Sequence, residues 1–264
     1  MATNRNFLIV VIAVIIMVAG SFLFVIKEPE KTFLNEIKEP LPKDIMSKSE
    51  VVKLKTKDGV EIAGDYYSVS VPGEIGVLML HMMPANRKSY SAFAEKIQEA
   101  GWQGLAIDFR GHGESHGGPV GYQLFKDEDH QKSILDVEAG AEFLKTKGIK
   151  KIFLVGASIG ANLSLQYLAE HSDAKAAVLL SPGLNYRGVK TDESAKKVYH
   201  TKAIYLTAAK DDDYSYETVQ GLYDILPKEV ARELKLFDSG GHGTKLFETH
   251  PELIGTIINW LKSL

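Results

Sequence analysis

The pattern of hydrophobic and polar positions changes character along the chain. From Phe7 to Ile26 the sequence reads FLIVVIAVIIMVAGSFLFVI, without a single charge. At helical rise this run covers about 30 Å, the thickness of a bilayer's hydrocarbon layer. Residues 27–48 place Pro29, Pro40 and Pro42 among alternating charges, with neither helical nor strand period, and read as a tether. From Glu50 the alternating runs VVKLKT and VEIAGDYY flank Lys57-Asp58-Gly59 and predict a β-hairpin. A repeating order of apolar strand and amphipathic helix follows. Strand Ile75–Leu80 precedes a helix from Ser89 through Phe93, Ile97 and Ala100; strand Gly104–Phe109 precedes helix Gln131–Lys145; strand Lys151–Val155 precedes helix Ile159–Glu170. Strand Ala176–Leu180 comes next, then strand Ala203–Thr207 with helix Tyr216–Leu226, and strand Glu233–Phe237 with helix Pro251–Leu261. This order predicts an α/β domain over residues 49–264, built on a mostly parallel, doubly wound sheet with helices on both faces. Near-continuous apolar strands such as IFLV and AAVLL fit burial on both sides of such a sheet.

The apolar run at 7–26 exceeds the core of a secretory signal, about 7–15 residues, and no A-x-A-like cleavage site precedes Lys27. Residues 1–26 are therefore expected to form a short cytoplasmic tail and a single transmembrane helix in contact with the lipid bilayer; a cleaved signal and a secreted product is the alternative. Arg5 and the amino terminus lie on one side of the run, while Lys27 and Lys31 are offset by Glu28 and Glu30 on the other. On that asymmetry the domain at 49–264 is expected outside the cytoplasm. In the whole chain of 264 residues, 31 Lys+Arg face 34 Asp+Glu for a formal charge of −3. No basic block offers a footprint for nucleic acid. The absence of cysteine excludes disulfides, Cys-ligated metals and a thiol nucleophile, so chemistry must come from serine, histidine and carboxylates.

Strand Lys151–Val155 runs directly into Gly156-Ala157-Ser158-Ile159-Gly160 and a helix. Flanking glycines let strand and helix close on each other and leave the Ser158 hydroxyl at the tip of a tight turn. The N–H of Ile159, at the helix N-terminus, is placed to stabilise an oxyanion. The bland reading is a helix N-cap between packing glycines. A serine needs a base, and the base needs a group that fixes its tautomer. Asp211, within Lys210-Asp211-Asp212-Asp213, follows the strand AIYLT, and His242, within Ser239-Gly240-Gly241-His242-Gly243, follows ELKLF. Residues beyond the carboxyl ends of different strands converge on one crevice in a doubly wound sheet. Singly, the aspartates read as a solvated turn and the histidine as a loop residue.

In this order Ser…Asp…His, with LMLHMMP at 78–84 and Asp108-Phe109-Arg110-Gly111-His112-Gly113-Glu114-Ser115, the chain resembles the α/β-hydrolase superfamily from about Val51 to Leu264. The resemblance implies that fold, with Ser158 as nucleophile, Asp211 as acid, His242 as base and the Met83 N–H as second oxyanion donor. Met82 departs from the glycine usual at its position, and Asp212 remains a substitute for Asp211. Superfamily branches that open epoxides or displace halide carry Asp at the nucleophile position, so Ser158 points to acyl transfer to water. The expected function is cleavage of small-molecule carboxylic esters by a serine hydrolase through an acyl-enzyme, with no cofactor and no metal, activity rising with pH as imidazole loses its proton. Serine peptidase, acyltransferase and a non-catalytic binding module are the alternatives.

About 20 residues separate Pro182 from Ala203, too few for a large cap domain. Tyr122, Leu124, Phe125 and Tyr186 are candidates to line an acyl pocket. His81 and Asp108 read as strand-end residues that shape loops. His112 and His116 are separated by Gly113, which argues against a shared helical face for a metal. Asp127-Glu128-Asp129-His130 reads as the charged start of a helix, and His171, His200 and His250 as surface or cap residues.

Overall fold

The computed structural model describes residues 49–264. The expected tail, apolar span and tether all lie outside the described residues. No helix among the described residues is long and apolar enough to cross a membrane. Strands β1 (Glu50–Lys55) and β2 (Glu61–Tyr67) form the hairpin, turning at Gly59 with φ of 85°. There follow β3 (Ile75–Leu80), α1 (Ser91–Glu99), β4 (Gln103–Ile107), α2 (Asp127–Gln131), α3 (Ile134–Thr146), β5 (Lys151–Ala157), α4 (Ile159–Glu170) and β6 (Ala174–Leu180). The short pair β7 (Asn185–Tyr186) and β8 (Val189–Lys190) and helix α5 (Asp192–Lys196) fill the segment to β9 (Ala203–Ala209). The chain closes with α6 (Asp213–Ile225), β10 (Ala231–Phe237), α7 (Leu246–Thr249) and α8 (Glu252–Lys262).

Eight strands make one sheet in the order β1-β2-β4-β3-β5-β6-β9-β10. Pairing is antiparallel at β1–β2 and β2–β4 and parallel from β4 to β10, as expected where strands alternate with crossover helices. One apolar layer joins Val137, Ala141 and Leu144 of α3, Leu163 and Leu165 of α4 and Val219 and Leu222 of α6 to one face of the sheet. The other joins Phe93 and Ile97 of α1 and Leu253, Ile254, Ile257, Ile258 and Leu261 of α8 to the opposite face. Helices cover both faces, and the runs Ile152–Val155 and Ala176–Leu180 are wholly buried between them.

Three local features depart from the expected elements. The helix expected from Ser89 begins as a 3-10 turn over Arg87–Tyr90, capped by the Asn86 side chain on Lys88 N at 3.0 Å. The helix expected at Gln131–Lys145 is two pieces, α2 and α3, broken at Lys132 and Ser133. The segment between β6 and β9 holds a hairpin and one short helix, which is no large cap.

Candidate active site

Ser158 sits between β5 and α4 with φ of 55° and ψ of −122°, a left-handed backbone that L-residues adopt at a cost. The strain is held by packing. A Cβ on Gly160 would lie 2.2 Å from Leu80 O, and one on Gly156 2.2 Å from Gly160 O. These glycines let α4 abut the end of β3, and Ser158 N donates to Leu180 O at 2.9 Å. The first N–H of α4, from Ile159, has no intrahelical acceptor, and the helix start lies against the carbonyls of Leu80 and His81 where the His81–Pro84 loop begins.

That loop is fixed from below. His81 is fully buried, and burial, reinforced by the neighbouring His112, pushes its pKa down to about 3, so the ring is neutral. It donates from Nδ1 to Met82 O at 2.8 Å and accepts the Phe109 N–H on Nε2 at 3.0 Å. Asp108 receives the Arg87 and Glu114 N–H groups at 2.7 and 2.8 Å and pairs with the buried Arg87 guanidinium. A Cβ on Gly113 would lie 2.0 Å from the Asp108 carboxylate, which explains a glycine there. Arg110 reaches Asp58 at 2.7 Å and Asp136 at 2.8 Å. The Asp108–Ser115 segment is thus a scaffold under the site, as expected for His81 and Asp108. The Met82 side chain lies where a Cβ on Gly243 would meet its Sδ at 2.5 Å, between the histidine loop and the nucleophile turn.

His242 follows β10. Its Nδ1 is 2.7 Å from Asp212 Oδ2, which leaves Nε2 as the nitrogen available to a substrate or to serine. The expected partner Asp211 does not make this contact. Its carboxylate receives the N–H groups of Gly240 and Gly241, all four distances lying between 3.1 and 3.2 Å. Asp211 therefore clamps the glycine loop that carries His242, and Asp212 holds the imidazole. The reason is the turn after β9: Asp212 N donates back to Ala209 O at 2.9 Å and Asp212 caps α6, which turns its side chain towards the loop after β10 and leaves Asp211 facing the backbone. Burial pushes the Asp212 carboxyl up, but hydrogen bonds from His242, Ser215 and Ser181 outweigh it and hold the group below its ordinary value. Ser181, itself at φ of 50°, also accepts the Gly243 N–H at 2.9 Å.

Of the four expected pocket residues, the structure brings Tyr186 to this centre. Its ring meets that of His242 edge-on at 6.1 Å, and its hydroxyl lies 3.1 Å from Ser215 Oγ. Tyr122 stacks on His112 at 4.3 Å, and Phe125 packs edge-on against His130 at 5.3 Å. Both are half-buried supports of the Asp108–Ser115 turn; Leu124, 89% exposed, packs on nothing comparable. Sequence reasoning missed Ser181 and Ser215, which hold Asp212, and Arg87, whose burial among acids no local pattern announces. Among the described residues no group of three or more histidines and carboxylates could hold a metal ion.

Residues 76–218 match the family described as alpha/beta hydrolase fold. The AB hydrolase superfamily protein YisY of Bacillus subtilis (strain 168) is 27% identical over 107 residues, 40% of this chain and 37% of that protein. An esterase of Pyrococcus furiosus superposes with a TM-score of 0.71 at 23% identity, over 84% of this chain and 93% of its own. An esterase of Exiguobacterium antarcticum gives 0.63 at 15%, over 81% and 100%, and an acylaminoacyl peptidase of Pyrococcus horikoshii 0.66 at 14%, over 83% and 42%. These structures share the fold.

Proposed function

Since the chain belongs to the alpha/beta hydrolase fold family, we propose that it is a serine hydrolase that cleaves carboxylic esters, with Ser158 as nucleophile, His242 as base and Asp212 as the acid that orients it. The observation that carries this reading is a serine at a strained strand–helix turn together with a histidine tied through Nδ1 to a carboxylate at 2.7 Å, both beyond the carboxyl ends of parallel strands.

Ser158 Oγ attacks the ester carbonyl while His242 Nε2 takes its proton, and Asp212 stabilises the imidazolium. The N–H groups of Ile159 and Met83 receive the oxyanion. Collapse expels the alcohol, protonated by His242, and leaves an acyl-Ser158. Water then gives its proton to the same imidazole, attacks the acyl carbon and releases the carboxylic acid with serine restored. The segment between β6 and β9 is short, so the crevice is open and suits short or medium acyl chains. Esterases among the structural relatives support this substrate class. A related structure that is an acylaminoacyl peptidase keeps amide cleavage as the second reading.

The test is hydrolysis of p-nitrophenyl esters from acetate to decanoate by the full-length chain and by Ser158→Ala. A burst of nitrophenol equal to enzyme, absent in the variant, supports the acyl-enzyme; turnover retained by the variant overturns it. Residues 7–26 are proposed to anchor this domain in a bilayer with its active site outside the cytoplasm. Release of the full-length protein from membranes by alkaline carbonate would count against the anchor.

A further inference from the structure

A cleft of about 710 Å³ opens at the end of the sheet opposite Ser158, where the parallel strands begin. The sequence of these strand starts is unusual. Lys151 is the first residue of β5, Lys175 the second of β6, and Lys202 directly precedes β9. These three strands are immediate neighbours, and the pairing of Ala176 with Ala203 sets Lys175 abreast of Lys202. Adjacent strands lie about 4.8 Å apart, so the three lysines follow one another along one edge, with the Lys202 ammonium turned to the end of α4. Lys262, from the last turn of α8, adds a fourth lysine to the lining.

No aspartate or glutamate lines the cleft. Among the described residues, no ion pair is made by Lys151, Lys175, Lys202 or Lys262; Lys175 reaches Ser172 O at 2.9 Å, and Lys202, 8% exposed, bonds the carbonyls of Leu168 and His171 at the end of α4. Asp173, whose charge acts on Lys202, pairs with Lys145 at 2.5 Å. Desolvation and the charge of Lys175 press on Lys202 against the attraction of Asp173, and Glu74 acts on Lys151, so the rim carries more positive charge than the acids near it offset. Beneath it the wall is apolar. Trp102 and Phe153 meet edge-on at 5.6 Å, and Ile75 and Leu261 continue the surface. An aromatic floor with a net cationic rim is complementary to a hydrocarbon chain ending in an anion.

From this juxtaposition we infer that the cleft between the starts of β5, β6 and β9 and the end of α8 binds a single-chain anionic amphiphile, its carboxylate or phosphate head among the lysines and its chain against Trp102 and Phe153. The inference is independent of the proposed ester hydrolysis, because the cleft and Ser158 lie at opposite ends of the strands.

Trp102 supplies the readout. The chain holds two tryptophans, so Trp260→Phe leaves Trp102 alone, and Ser158→Ala removes turnover. Bromine-labelled dodecanoate, kept below its micellar concentration, is titrated into this full-length double variant. Saturable quenching of Trp102 is expected, weaker at least tenfold for the brominated dodecanol of equal length. Adding Lys151→Glu, Lys175→Glu and Lys262→Glu should weaken dodecanoate binding at least tenfold; Lys202 is left intact because it caps α4. If the charge-reversed protein does not fold, by circular dichroism, the same three positions as glutamine carry the test with a threefold loss expected. Dodecyl phosphate distinguishes a phosphate from a carboxylate head, and binding of either supports the site. Absence of quenching, equal affinity for the alcohol, unchanged affinity in the lysine variants, or a response to anionic vesicles with none to monomeric amphiphile would each overturn it.

Discussion

One peptide unit decides which of two adjacent carboxylates serves His242. In Lys210-Asp211-Asp212-Asp213 both Asp211 and Asp212 are plausible partners by sequence, and the choice rests on the turn that returns Asp212 N to Ala209 O. That turn is not written in residue type, because both candidates are aspartate. Ser158 and His242, by contrast, were legible: glycines two positions either side of one and crowded around the other mark where the backbone must approach closely. The two acids have different expected phenotypes. Asp212→Asn should lower kcat by about a thousandfold or more through loss of the fixed tautomer, whereas Asp211→Asn should lower it less than about tenfold through a looser loop; steady-state ester hydrolysis separates them. Asp212 is held below the ordinary carboxylate range, so its ionisation should leave no inflection in the wild-type kcat/KM profile above about pH 4; an inflection above that pH that disappears in Asp212→Asn would contradict this. Tyr186 bonds Ser215 through its hydroxyl, and Ser158 is among the groups that act on that hydroxyl. Tyr186→Phe keeps the ring against His242, so a fall in kcat of about tenfold at unchanged KM is expected if the hydroxyl positions the nucleophile, and no change if the residue is only pocket wall.

At the scale of elements, β3, α4 and the loops after β9 and β10 position the chemistry, and glycines govern how closely they meet. Gly160→Ala would set a methyl 2.2 Å from Leu80 O. Neither partner is a flexible side chain, so denaturant titration should show at least about 3 kcal/mol of lost stability. The Asp108–Ser115 turn is tied to the β1–β2 hairpin by Arg110, whose hydrogen bonds to Asp58 hold that carboxyl down at about 2, below its 3.8 reference. A depressed carboxyl stabilises the fold above the unfolded value and loses that contribution as pH falls towards the folded one. Asp58 is partly exposed, so Asp58→Asn should cost only about 1 kcal/mol at neutral pH, shrinking to nothing near pH 2. Elements shorter than a full period escaped the sequence. The pair β7 and β8 has two residues per strand, too few to show alternation, yet it delivers Tyr186 to the site. The break at Lys132 and Ser133 carries no Gly or Pro to announce it.

At the scale of the molecule, fold class followed from strand and helix patterns because a parallel sheet buries its strands on both faces, and such strands read as continuous apolar runs. Long-range placement was less legible. Arg87 and its partners Asp65 and Asp108 are buried ions far apart in sequence, and the lysine row at the strand starts becomes a row only when β5, β6 and β9 lie side by side. The sheet thus has two chemically distinct ends, the strained Ser158 turn with the His242–Asp212 pair at one and the lysine-rimmed cleft at the other. The central claim is that His242, oriented by Asp212, activates Ser158. Its most direct test is the rate constant for covalent labelling of Ser158 by a fluorophosphonate, followed by mass spectrometry in wild type, Asp211→Asn and Asp212→Asn. The account predicts rapid single labelling at Ser158, little changed by Asp211→Asn and slowed at least a hundredfold by Asp212→Asn; labelling elsewhere, or a slowing confined to Asp211→Asn, would contradict it.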